Sequence, residues 1–143
     1  MRRVNISRSI KSIAIFDVNR DKNLVLLDLK VLGFKMARSS YRIEKYTSYF
    51  KILDEFVYSL GIKELNTHYR DYVCYYMSKP VLCRMYYRNP NLVRYVILAS
   101  FYPGIIKNMV YSFENNYWKK IFFFEIMRLR QPNKGIFFSS GEI

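Results

Sequence analysis

The sequence predicts a mainly α chain. Long helices fill the N-terminal half, an extended, loop-rich C-terminal half with short helices follows, and the whole is not a compact independent globule. Three observations predict this. Residues 23–38 and 41–60 carry apolar side chains at three- and four-residue spacing. The 143 residues hold 24 Lys and Arg against 11 Asp and Glu, a net charge of +13. Between Asp71 and Glu114, 42 consecutive positions contain no acidic residue.

The elements follow in chain order. Residues 1–20 read as a basic N-terminal arm, with Arg2, Arg3, Arg8 and Lys11 ahead of the first acid, Asp17. A mitochondrial transit peptide has a similar composition; an arm lying on nucleic acid is the expectation here. In residues 23–38, Leu24, Leu27, Val31 and Phe34 form the stripe, and Asp21 or Asn23 supplies the cap. In residues 41–60, Ile43, Tyr46, Phe50, Leu53, Val57 and Leu60 line one face, with Gly61 as the stop. Lys45, Lys51, Asp54 and Glu55 occupy the other face. These two helices make a helical segment over 21–61.

Residues 61–73 read as a loop that opens a core over 62–111. Asn89-Pro90-Asn91 reads as a turn, with Asn91 as N-cap of a short helix over 92–101 that ends before Pro103-Gly104. The extension over 112–143 holds one more helix, residues 117–129. There 121–124 are apolar nearly all round, which predicts burial on several sides or contact with a neighbouring protein.

Composition narrows the function. An apolar share of 51% and an aromatic share of 18% exclude a disordered polybasic tail. Two cysteines cannot define a disulfide scaffold. No apolar run reaches the roughly eighteen residues of a membrane helix. A charge of +13 points to a polyanionic partner. Phe, Tyr, Ile, Lys and Asn make up 61 of the 143 residues, and their codons all begin with two A or T bases. That skew marks an AT-rich gene, as in many organelle, viral and parasite genomes.

Catalytic chemistry has little to stand on. His68 is the one histidine, and no G-x-S-x-G accompanies it. Cys74 and Cys83 lack the paired spacing of a zinc site. No glycine-rich phosphate loop occurs. The chain is therefore expected to be no enzyme and to carry no metal, cofactor or small-molecule substrate.

The acid-free stretch carries Lys79, Arg84, Arg88, Arg94 and Lys107 among eight tyrosines. Cations interleaved with aromatic rings suit RNA, because cations meet phosphates and rings stack on unpaired bases. Within it, Cys74, Met77-Ser78-Lys79-Pro80, Arg84-Met85-Tyr86, Val93-Arg94 and Tyr102-Pro103-Gly104-Ile105-Ile106-Lys107 stand in the order of a known run. Over 74–107 the chain resembles the zinc-free form of the small-subunit ribosomal protein fourteen family. That family's run reads N-R-C-x-x-T-G-R-P, then L-S-R, then I-P-G-x-x-K. Asn66-Thr67 and Arg70 fall where the family has N-S-S and an arginine. Ser78 replaces the glycine of G-R-P, and Arg88-Asn89-Pro90 replaces L-S-R.

The resemblance implies a structural constituent of the small ribosomal subunit that packs into rRNA of its head beside neighbouring head proteins. Carried over by position, Lys79, Arg84, Arg94 and Lys107 would contact phosphates; Arg70, Arg88, Asn89 and the arm residues Arg2, Arg3 and Arg8 complete the expected RNA-binding set. The codon skew and missing zinc motif place the expected ribosome in the mitochondrial matrix, with the gene kept in the organelle and no membrane partner. The alternative is a small helical protein–protein interaction subunit of another organellar complex, such as a respiratory one, or a viral helical module.

Overall fold

β-Branched and aromatic residues dominate the segments that the chain pairs edge to edge, and they build a sheet instead of a helical array. The computed structural model describes residues 10–37, 44–102, 104–112, 117–125 and 137–140. Its strands are β1 (Ser12–Asp21), β2 (Phe34–Met36), β3 (Tyr69–Tyr76), β4 (Lys79–Asn89), β5 (Leu92–Ser100), β6 (Lys119–Glu125) and β7 (Phe137–Ser140). Its helices are α1 (Lys22–Val31), α2 (Thr47–Ser59), a 3-10 turn (Lys63–Asn66) and α3 (Ile105–Ser112). All neighbouring strands run antiparallel in one seven-stranded sheet, ordered β2-β3-β4-β5-β1-β6-β7.

The mainly α expectation is thereby corrected. Residues 92–101 and 117–129, expected as helices, contain β5 and β6. Much of the expected basic arm is β1, which lies between β5 and β6 in the sheet. The physical reason is that helices cover both faces. Val81 to Tyr86 are all buried, as are Tyr95 to Ser100. A strand covered on both sides needs no polar alternation, so its apolar run imitates a buried helix. The same holds in β6, where Ile121 and Phe122 pack toward one cluster and Phe123 toward the other.

On one face, Val25 and Leu29 of α1 and Ile106 of α3 pack on Ala14, Phe16, Cys83, Met85, Val96 and Leu98. On the other, Phe50, Leu53, Phe56 and Val57 of α2 pack with Leu65 on Ile13, Ile15, Leu82, Ile97 and Ala99. The expected apolar stripe of α2 therefore faces the core, although Ile43 lies outside the described residues. That of α1 does not. Leu24, Leu27 and Val31 are 41%, 52% and 78% exposed, and the helix turns Val25 and Leu29 inward instead. Asp21 caps α1, accepting from the backbone N–H of Asn23 at 2.8 Å. The helix stops well short of residue 38. Gly33 takes φ +105°, where a Cβ would meet the Tyr76 ring at 3.3 Å, and the chain turns into β2.

One end of the sheet is irregular. The β1–β5 register shifts between Asp17 and Arg20, with Asn19 at φ 42°. The β4–β5 register shifts on either side of Tyr87. Such bulges sharpen local twist and re-aim side chains. The backbone N–H of Lys22 donates to Asn91 O at 2.8 Å, which ties the start of α1 to the β4–β5 turn.

Candidate anion-binding cleft

At this irregular end lies a cleft of about 380 Å3 lined by Lys22, His68, Arg70, Tyr87, Arg88, Asn89 and Pro90. Each arrives for a local reason. Lys22 opens α1 behind the Asp21 cap. Arg70 is the second residue of β3, and strand alternation separates it from Asp71, whose carboxylate is engaged on the opposite face by Arg84. Strand alternation places Tyr87 on the side that Met85 occupies, and its N–H donates to His68 O at 2.8 Å. Asn89 shapes the turn: its Oδ1 accepts from the N–H groups of Asn91 and Leu92, both at 3.0 Å. The expected turn is there, with Asn89 rather than Asn91 as its capping side chain and a strand beyond it.

The lining holds three permanent cations and no carboxylate. Lys22, Arg70 and Arg88 make no ion pair with any described residue. Tyr87 and Tyr72 share a hydrogen bond between hydroxyls at 3.1 Å. Burial, and then that bond, push the Tyr87 phenol above its usual range, so it stays protonated. The His68 ring lies 6.3 Å from the Tyr87 ring, centroid to centroid, tilted by 48°. Together these groups form a cationic concavity with an aromatic edge.

Of the residues expected on RNA, the fold gathers Arg70, Arg88 and Asn89 here. Lys22, His68 and Tyr87 complete the group. Tyr87 belongs to the acid-free stretch, but nothing in the spacing of Lys22 or His68 links either to it. The other expected residues are dispersed. Lys79 stands at the start of β4 with Nζ 5.2 Å from the Tyr102 ring centroid. Lys107 is exposed on α3. Arg94 pairs with Asp17 at 3.0 Å and lies 4.7 Å from the Tyr95 ring centroid. Arg2, Arg3 and Arg8 lie outside the described residues.

Arg84 is placed for another task. It is 2% exposed, donates to Asp71 through Nε at 2.7 Å and Nη2 at 3.0 Å, and reaches Asp54 of α2 at 2.6 Å. Its guanidinium lies 4.0 Å from the Tyr69 ring centroid. Burial opposes its charge, but the Asp71 hydrogen bonds and field outweigh that and raise its pKa above the ordinary arginine value. A guanidinium held this way clamps α2 to the sheet and is not offered to a phosphate in solvent.

Among the described residues, no three His, Cys, Asp or Glu side chains gather to hold a metal ion. Comparison with protein-family models, curated proteins and solved structures finds no match.

Proposed function

We propose that this chain is an RNA-binding protein that grips phosphate at the bulged end of its sheet. The observation that carries the reading is the set of three cations, Lys22, Arg70 and Arg88, that have no ion-pair partner and no lining carboxylate beside them among the described residues. The net charge of +13 and the acid-free run of 42 positions support it by drawing any polyanion toward the surface. A structural role on small-subunit rRNA in a mitochondrial ribosome is a narrower form of this reading. Charge and codon skew favour it, whereas the antiparallel sheet differs from the helices that the ribosomal resemblance implied. Titrating labelled single-stranded and duplex RNA at several salt concentrations tests the proposal. Affinity should fall linearly with salt on a log–log plot, and a flat line would refute it.

A second reading has its own observation. Leu24, Leu27 and Val31 form an exposed apolar stripe on α1, and a partner protein would cover such a stripe. Cross-linking from a cysteine at position 27 tests this contact separately from RNA.

A further inference from the structure

The cleft's size and charge narrow its ligand. About 380 Å3 is near the lower end of the roughly 300–1,000 Å3 range of clefts that hold one small ligand. That is room for one nucleotide, not for a length of duplex. Three permanent cations are more than a single phosphodiester, with one negative charge, requires. A phosphate monoester carries about −1.5 to −2 at pH 7 and offers three strong acceptor oxygens. Arg70 and Arg88 supply planar forks that match such an oxygen set, and Lys22 supplies a point charge. The Tyr87 hydroxyl is engaged by Tyr72 and Met85, and the neighbouring His68 ring offers a face for a base. Asn89 spends its Oδ1 on its own turn, which leaves its amide Nδ2 as a neutral donor at the cleft.

We propose that the cleft binds the phosphate monoester of a single nucleotide, held by Arg70, Arg88 and Lys22. The nucleotide is either the terminal one of a nucleic-acid strand or a free mononucleotide. The strand-end form rests on the RNA-binding reading above; the free form does not.

The test uses the full chain and one single-stranded oligoribonucleotide sequence in three forms: 5′-phosphorylated, 3′-phosphorylated, and hydroxyl at both ends. AMP serves as the free nucleotide. One phosphorylated end should bind at least about tenfold more tightly than the hydroxyl form, the effect of one or two charge-assisted hydrogen bonds. The R70A/R88A double variant should abolish that preference. Both side chains are exposed, so its thermal unfolding should match the parent and report an intact fold. AMP binding as tight as the phosphorylated strand would uphold the monoester site and assign it to free nucleotides. Equal binding of all three strands without competition by AMP would overturn the proposal and leave RNA binding standing. A preference that survives in the double variant would overturn the location. Absence of salt-dependent binding to any strand would overturn the RNA reading instead, and direct titration with AMP would then decide the cleft.

Discussion

Arg84 and Asp71 sit directly opposite one another on β4 and β3, and their side chains join through two hydrogen bonds of 2.7 and 3.0 Å. Asp54 approaches the same guanidinium from α2 but is 48% exposed, against 17% for Asp71. Removing one partner of a buried pair leaves the other charge uncompensated, at a cost of about 3–5 kcal/mol. Asp71→Ala should therefore destabilise the fold by about 3 kcal/mol. Asp54→Ala should cost no more than about 1 kcal/mol, because solvent screens that partner. Urea unfolding of the two variants checks the contrast. Equal losses would mean that α2 is held mainly through Asp54.

The single tryptophan reports on a second clamp. Trp118 is 1% exposed, and its Nε1 donates to Asp28 Oδ2 at 2.7 Å. Arg20 Nε donates to the same oxygen at 2.9 Å, with its guanidinium 3.9 Å from the Tyr117 ring centroid. The carboxylate thus joins α1 to β1 and to the start of β6. Asp28→Ala strands a buried N–H donor and should cost about 2–3 kcal/mol. It should also shift Trp118 fluorescence before any global unfolding. An unchanged spectrum would show that the indole does not depend on Asp28.

The sequence made some of this legible and hid the rest for a physical reason. The α2 stripe was readable because Phe50, Leu53 and Val57 alternate with charged residues on a helix that covers one face of the sheet. The cap at Asp21 and the turn at Asn89-Pro90-Asn91 were readable because short polar side chains act on their own backbone. β4 and β5 were not, because helices bury both of their faces and remove the period-two signal. On α1, a stripe of Leu24, Leu27 and Val31 was visible, but the fold buries Val25 and Leu29 and leaves that stripe outside. For the cleft, Arg70, Arg88 and Asn89 stood out by charge and turn chemistry. His68 lies two residues before Arg70, but without charge or turn chemistry to mark it, and Lys22 reaches the cleft only through the pairing that brings the start of α1 to the β4–β5 turn. Arg84 looked like a free cation because Asp54 and Asp71 lie outside the acid-free stretch.

Buried proton donors predict the alkaline limit of stability. Burial raises the phenols of Tyr86 and Tyr87, and a hydrogen bond with Cys74, followed by burial, raises the Cys83 thiol. A group that holds its proton more tightly when folded contributes stability that is complete below its unfolded pKa. That stability is lost as pH rises through the folded value. Unfolded Cys and Tyr titrate at about 8.5 and 10. Stability should stay level up to about pH 8, then fall by about 1.4 kcal/mol per pH unit for each group ionised only in the unfolded chain. Cys83→Ala should move the onset up by about 1.5 pH units, to the tyrosine range. Urea midpoints measured across this window check it, and an unchanged onset in Cys83→Ala would contradict the role of the thiol.

Counterion release separates the cations that face a ligand from those that serve the fold. Each phosphate neutralised contributes about 0.9 to the log–log salt slope for duplex and about 0.7 for single strands. Arg70 and Arg88 are free of ion pairs with described residues and exposed, so R70A/R88A should lower a single-strand slope by about 0.7, the contribution of the one phosphate they share. Arg94→Ala should change it far less, because Asp17 already holds that guanidinium at 3.0 Å. Arg84→Met should leave the slope unchanged, although it weakens the clamp on α2. The comparison is sharp because all four arginines carry the same charge in the same composition, so a slope that tracked net charge alone would fall equally for each single change. Salt titrations of each variant against one RNA decide between the two. Equal losses for Arg84, Arg94 and the cleft arginines would mean that RNA senses only the overall field of the protein and that the cleft has no privileged place in binding.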